Sequence, residues 1–130
     1  MPHLTLEYSD NLEFDVQPLL GRLHEALAAT GAVALKGLKS RAVRHTEYRV
    51  ADGNPAYAFA HLNILIREGR PQETQQELAR RAQEILEAEF GSRYEEGYLS
   101  LSVDIKEMKD GIAITKHNIP AGGVRATPPD

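Results

Sequence analysis

Proline at position 2, directly behind Met1, is the residue of this chain with the most pointed chemical use. Removal of Met1, which a small following residue permits, would give Pro2 a free secondary amine. An unperturbed α-amino group titrates at about 7.7–8.0. Nearby cations and an apolar pocket both disfavour its protonated form, which makes it a competent general base at neutral pH. The residues that follow, His3-Leu4-Thr5-Leu6-Glu7-Tyr8, alternate polar and apolar from the start, so this amine would sit on a rigid strand. Inert Met-Pro openings are common, so the reading needs cationic company. Arg70 offers it in Arg67-Glu68-Gly69-Arg70-Pro71, between a strand pattern and a helix pattern. Arg41 offers it within an extended run, where a charge costs energy unless it faces a cleft or a partner. Lys39, two residues earlier, shares that face of the strand. Guanidinium groups so placed suit bidentate capture of carboxylates, although surface ion pairs would explain the same residues.

Other chemistries lack their residues. With no cysteine, a disulfide framework, a thiolate metal site and a cysteine nucleophile are excluded together. His3, His24, His45, His61 and His117 show no metal-ligand spacing, so no metal and no cofactor are expected. His3 and His61 are expected to line a strand face or a subunit contact. No Gly-x-Ser-x-Gly elbow or phosphate-binding loop is present. Fifteen Lys and Arg against nineteen Asp and Glu give a net charge of −4, which argues against an electrostatic grip on nucleic acid. No apolar run approaches the roughly 20 residues of a membrane span. The opening residues lack the features of a secretory signal, and a cytoplasmic location is expected.

The elements that must position Pro2 and its cations read as α+β, in β-α-β repeats. Strand patterns at 3–8 and 61–67 each precede a helical one. Val16, Leu19, Leu20, Leu23 and Leu27 recur at helical spacing behind Asp15, with Gly31 as the stop. The second helix opens near Pro71 and carries Leu78, Ala82, Ile85, Leu86 and Phe90, with Gly91 as the expected end. Extended runs follow at about 38–44, extendable to Val50, and at 98–105. His3-Leu4-Thr5-Leu6 and His61-Leu62-Asn63-Ile64 repeat one pattern, which suggests internal duplication. The expected domain is 1–115, with repeats at about 2–50 and 56–107 forming a four-stranded sheet under two helices on one face. The other face, expected to carry Leu and Ile among polar residues, would be buried against further copies. Residues 116–130, with three prolines, are expected to be an extended or disordered tail.

Met1-Pro2-His3, Tyr8-Ser9-Asp10-Asn11, Thr30-Gly31, Lys39-Ser40-Arg41, Tyr48-Arg49-Val50-Ala51-Asp52-Gly53 and Ala58-Phe59-Ala60-His61-Leu62 together resemble the 5-carboxymethyl-2-hydroxymuconate isomerase family of the tautomerase superfamily. The resemblance extends to about residue 115. It implies a homotrimer of duplicated β-α-β units and a small carboxylated dienol substrate, isomerised without a cofactor in homoprotocatechuate degradation. It also implies Pro2 as the proton-transferring base, with Arg41 and Arg70 as carboxylate anchors. Lys39 stands where family members can carry arginine, which leaves open whether Lys39 or Arg41 makes the main contact. Ala60 occupies the place of Pro2 in the second repeat, so one base per chain follows. The alternatives are a hydratase or dehalogenase acting on another unsaturated acid, and a catalytically silent trimeric binding module.

Overall fold

The structure, a computed structural model, describes residues 2–124. Strand β1 (His3–Ser9) leads into helix α1 (Val16–Ala29) and then strand β2 (Lys39–His45). Strand β3 (Ala58–Arg67), helix α2 (Gln72–Glu96) and strand β4 (Leu99–Met108) repeat the plan. The sheet order is β2-β1-β3-β4, with the outer pairs parallel and the central pair antiparallel.

Alternation fixes the faces. Leu4, Leu6 and Tyr8 of β1 and Ala58, Ala60, Leu62, Ile64 and Ile66 of β3 are buried on one side. Both helices cover that side through Leu19, Leu20, Leu23 and Leu27 of α1 and Leu78, Ala82, Leu86 and Phe90 of α2. Phe14 joins the layers, edge-on to Tyr8 at 4.8 Å and to Phe90 at 5.0 Å. The uncovered face is more polar than the sequence suggested. Its central positions are His3, Thr5 and Glu7 on β1 and His61, Asn63 and Leu65 on β3, so the leucines and isoleucines have nearly all gone to the helices.

The end of α2 and the end of β2 differ from the sequence expectation. Helix α2 runs through Gly91 to Glu96, and the chain turns at Gly97, whose φ of 97° lies in the left-handed region. Strand β2 stops at His45 instead of continuing to Val50, because Tyr48 turns back to donate its hydroxyl to Asp10 Oδ1 at 3.2 Å. The start of α1 is as expected, with Asp15 at the N-cap position, although its side chain makes no capping bond. The end of α1 is as expected: Thr30 Oγ1 donates to the Leu27 carbonyl, and Gly31, at φ 78°, donates to that of Ala28. Beyond Met108, residues 109–124 form no helix or strand and are mostly exposed. The remaining tail residues, 125–130, lie outside the described residues.

Candidate active site

Strand direction decides which side chains meet. β1 and β2 start at the same end of the sheet, where β3 and β4 finish. Pro2 precedes β1 there, and its carbonyl accepts the Lys39 N–H at 3.1 Å. The same edge holds Lys39, Arg67, Arg70 and Met108, from four different segments of the chain. Pro2 is buried and falls on the helix-covered side, in step with Leu4 and Leu6.

Arg70 is fixed at the entrance to α2. Its Nε donates to the Ala32 carbonyl at 3.0 Å and its Nη1 to the Arg67 carbonyl at 3.1 Å. The Arg70 carbonyl accepts from Gln75 Nε2 at 3.0 Å, within the first turn of α2. A guanidinium has five N–H donors, so two bonds to carbonyls leave enough for one bidentate carboxylate.

Lys39 and Arg41 occupy the other side of the sheet. Register pairs Lys39 with His3 and Arg41 with Thr5, which puts both side chains on the helix-free face. The structure thus brings Pro2 and Arg70 to one end of the sheet but sets Arg41 across it from the Pro2 ring. Lys39 Nζ donates to the Gly37 carbonyl at 3.2 Å. Arg41 Nη2 lies 2.9 Å from His3 Nδ1. Because a guanidinium only donates, His3 Nδ1 must accept and the ring proton must be on Nε2.

A cleft of about 360 Å³ opens beside this pair, lined by His3, Thr5, Arg41, Asn63, Leu65, Lys106 and Met108. The Oδ1 atom of Asn63 is buried there without a hydrogen-bond partner. Burial, then the charges of Arg41 and Lys39, hold the His3 imidazole below its usual 6.5, so the ring is neutral at pH 7. A second cleft, about 370 Å³ between α2 and β4, is lined by Gln83, Glu87, Gly91, Tyr94, Glu95 and Leu101 and holds carboxylates but no cation.

Sequence reasoning missed Lys106 and Asn63 as neighbours of Arg41. Their placement depends on the β3–β4 register, which pairs Leu65 with Lys106, and no local pattern reports it. For His3 the sequence predicts a strand face or a subunit contact, and its position two places before Thr5 is the signal that puts it on the cleft side. His45, Tyr48 and Phe59 cluster at the far end of the sheet, with His45 also 3.0 Å from Glu7, so they lie away from Pro2.

The profile of a family described as 5-carboxymethyl-2-hydroxymuconate isomerase matches residues 2–125, further than the 115 read from motifs. An Escherichia coli protein named 5-carboxymethyl-2-hydroxymuconate Delta-isomerase is 32% identical over 123 residues, which cover 93% of this chain and 98% of that protein. The crystal structure of a 5-carboxymethyl-2-hydroxymuconate isomerase from Deinococcus radiodurans R1 superposes with a TM-score of 0.85 at 35% identity, covering 90% of each chain. A fused 4-OT described as a symmetric trimer shares the fold alone, with a TM-score of 0.71 at 15% identity over 93% of this chain and 97% of that one. A duplicated β-α-β sheet that opens on Pro2, matched over nearly its whole length, makes this chain a member of the 5-carboxymethyl-2-hydroxymuconate isomerase family.

Proposed function

We propose that the chain is a cofactor-independent isomerase that converts the dienol 5-carboxymethyl-2-hydroxymuconate into its conjugated enone, in homoprotocatechuate degradation, with Pro2 as the base. The observation that carries the reading is the nearly full-length family match together with Pro2 at a sheet end crowded by cations. Once Met1 is removed, the Pro2 nitrogen is a secondary amine. Lys39, Arg67 and Arg70 converge on that end, and Arg67 is tied to Asp110 at 3.7 Å. Positive neighbours and burial both favour the neutral amine, the form able to accept a proton.

The chemistry balances without an added reagent. The amine takes the proton of the 2-hydroxyl, and that O–H pair becomes part of the new carbonyl. The double bonds shift along the chain, and the ammonium returns a proton to a carbon further along. One O–H bond breaks, one C–H bond forms, and no electrons leave the substrate. Arg70, at the same end of the sheet as Pro2 and with N–H donors beyond its two carbonyl bonds, anchors a carboxylate and offsets the charge that develops on the dienolate. Lys39 and Arg41 anchor a second carboxylate. Because Arg41 and the Pro2 ring face opposite sides of the sheet within one chain, that contact is made by another copy. This favours the homotrimer, as does the fold shared with a protein described as a trimer. Among the described residues no helix is long and apolar enough to cross a membrane, and we place the enzyme in the cytoplasm.

Pro2→Ala, followed by loss of dienol absorbance in the ultraviolet, tests the reading. Loss of the positioned base is expected to lower kcat/KM by roughly 10²–10⁴-fold. Unchanged turnover in Pro2→Ala, or an intact mass that retains Met1 in active protein, removes Pro2 from the mechanism.

A further inference from the structure

We propose that His3 is a positioning residue: its Nδ1 accepts a hydrogen bond from Arg41 and holds the guanidinium over the helix-free cleft, in the orientation that takes a substrate carboxylate. Among the described residues, the 2.9 Å contact is the one hydrogen bond given to the Arg41 side chain. An arginine on an edge strand has many rotamers, and freezing it before binding removes an entropic cost from the binding step. A histidine can do this only while neutral, since a protonated ring offers no lone pair and repels the guanidinium.

The surroundings keep it neutral. Arg41 and Lys39 face His3 from β2, and Lys106 faces the same cleft from β4. From β3 the neighbours are the uncharged Asn63 and Leu65. On β1 itself the Pro2 amine precedes His3. The carboxylate further along that face, Glu7, lies 3.0 Å from His45. Acid would therefore break the His3–Arg41 contact and release Arg41. The inference rests on the proposed reading that Arg41 binds substrate.

Two measurements separate the claims. In ¹⁵N-labelled protein without substrate, the wild-type His3 ring should titrate as the Nε2–H tautomer, and Arg41→Ala should raise its midpoint. An unmoved midpoint overturns the inference whatever the protein turns over. In steady-state kinetics, His3→Phe should raise KM by about 2- to 10-fold, the cost of immobilising one long side chain on binding, with kcat nearly kept. The wild-type rise of KM in acid should vanish in that variant. His3→Asn, which offers an acceptor oxygen that does not titrate, should recover part of the KM and stay flat in acid. A wild-type KM and acid response in His3→Phe overturns the inference while leaving the isomerase reading intact. A wild-type protein inert toward the dienol removes that reading, and the positioning role falls with it.

Discussion

Arg70 is asked to do two jobs, and removing it should show both. Its guanidinium clamps the Ala32 carbonyl, in the α1–β2 connection, and the Arg67 carbonyl, at the end of β3. Hydrogen bonds to a charged donor contribute roughly 1.5–3 kcal/mol each. Arg70 is half-exposed, so water replaces part of the loss in Arg70→Ala. The expected destabilisation is about 1–3 kcal/mol, read by urea denaturation as a lower midpoint at unchanged slope. Thermal scans should fall by roughly 3–5 °C per kcal/mol for a domain of this size. Arg70→Lys should recover about half of the stability, because an ammonium reaches one carbonyl but cannot reproduce a planar fork over two. If Arg70 also anchors a carboxylate, KM should rise in both variants, since neither retains the remaining N–H donors of the guanidinium. A stability within about 0.5 kcal/mol of wild type in Arg70→Ala would refute the clamp. A clear destabilisation with unchanged KM would reduce Arg70 to a turn residue and leave the Pro2 side of the site without its anchor.

His24 of α1 lies 2.8 Å from Ser40 Oγ of β2, and burial holds its imidazole below the usual 6.5. Because the unfolded chain takes up that proton first, His24 favours the fold above about pH 6.5, and this contribution is lost as the pH falls toward the lowered value. His24→Gln keeps a partner for Ser40 and should flatten the fall in urea stability between pH 7 and pH 5; an unchanged slope would count against the burial argument. Gly91 lies inside α2, and an added Cβ would meet nothing within 4 Å. Gly91→Ala should therefore stabilise by about 0.5–1 kcal/mol. Gly97, at φ 97°, should respond in the opposite sense, Gly97→Ala costing about 1–2 kcal/mol by the same denaturation assay. A destabilised Gly91→Ala would mean that α2 ends there after all.

Those two glycines show where local pattern stops being informative. Gly91 follows Phe90, the last buried residue of the apolar stripe, so it looked like a C-terminal stop. The helix continues because Ser92 to Glu96 are compatible with it and Arg93 bonds the Gly97 carbonyl beyond its end. The central strands were legible because one buried face imposes a strict period of two on Leu4, Leu6 and Tyr8, and on Leu62, Ile64 and Ile66. That alternation also put Lys39 and Arg41 on one face. It could not say that this face lies across the sheet from Pro2, because the β1–β2 register is set by tertiary packing and by the length of the α1–β2 connection. For the same reason Lys106 and Asn63 carried no signal toward Arg41.

The two halves of the duplicated fold differ at the positions proposed for the site. Thr5 pairs with Asn63 across β1 and β3, and these residues stand at the same place in their repeats. Each strand pair then has a counterpart. His3 faces Lys39 where His61 faces Ser102, and Thr5 faces Arg41 where Asn63 faces Asp104. Three residues past the end of β3 stands Arg70; three past β1 stands Leu12, buried in the core. Ala60, interior to β3, takes the place of Pro2 and has no amine to offer. The histidine is shared, but where the first end of the sheet has Pro2, Lys39, Arg41 and Arg70, the second has Ala60, Ser102, Asp104 and Leu12. Asp104 matters most, since an anion where Arg41's counterpart would stand repels a carboxylate substrate as well as failing to bind it. The second repeat supplies the apolar face that completes the sheet, lacks these charges at the start of its own strands, and sends Arg67, Arg70 and Lys106 to the end of the sheet where Pro2 stands. It thereby braces β1 through the β1–β3 pairing and brings cations to the end of the sheet where that strand begins.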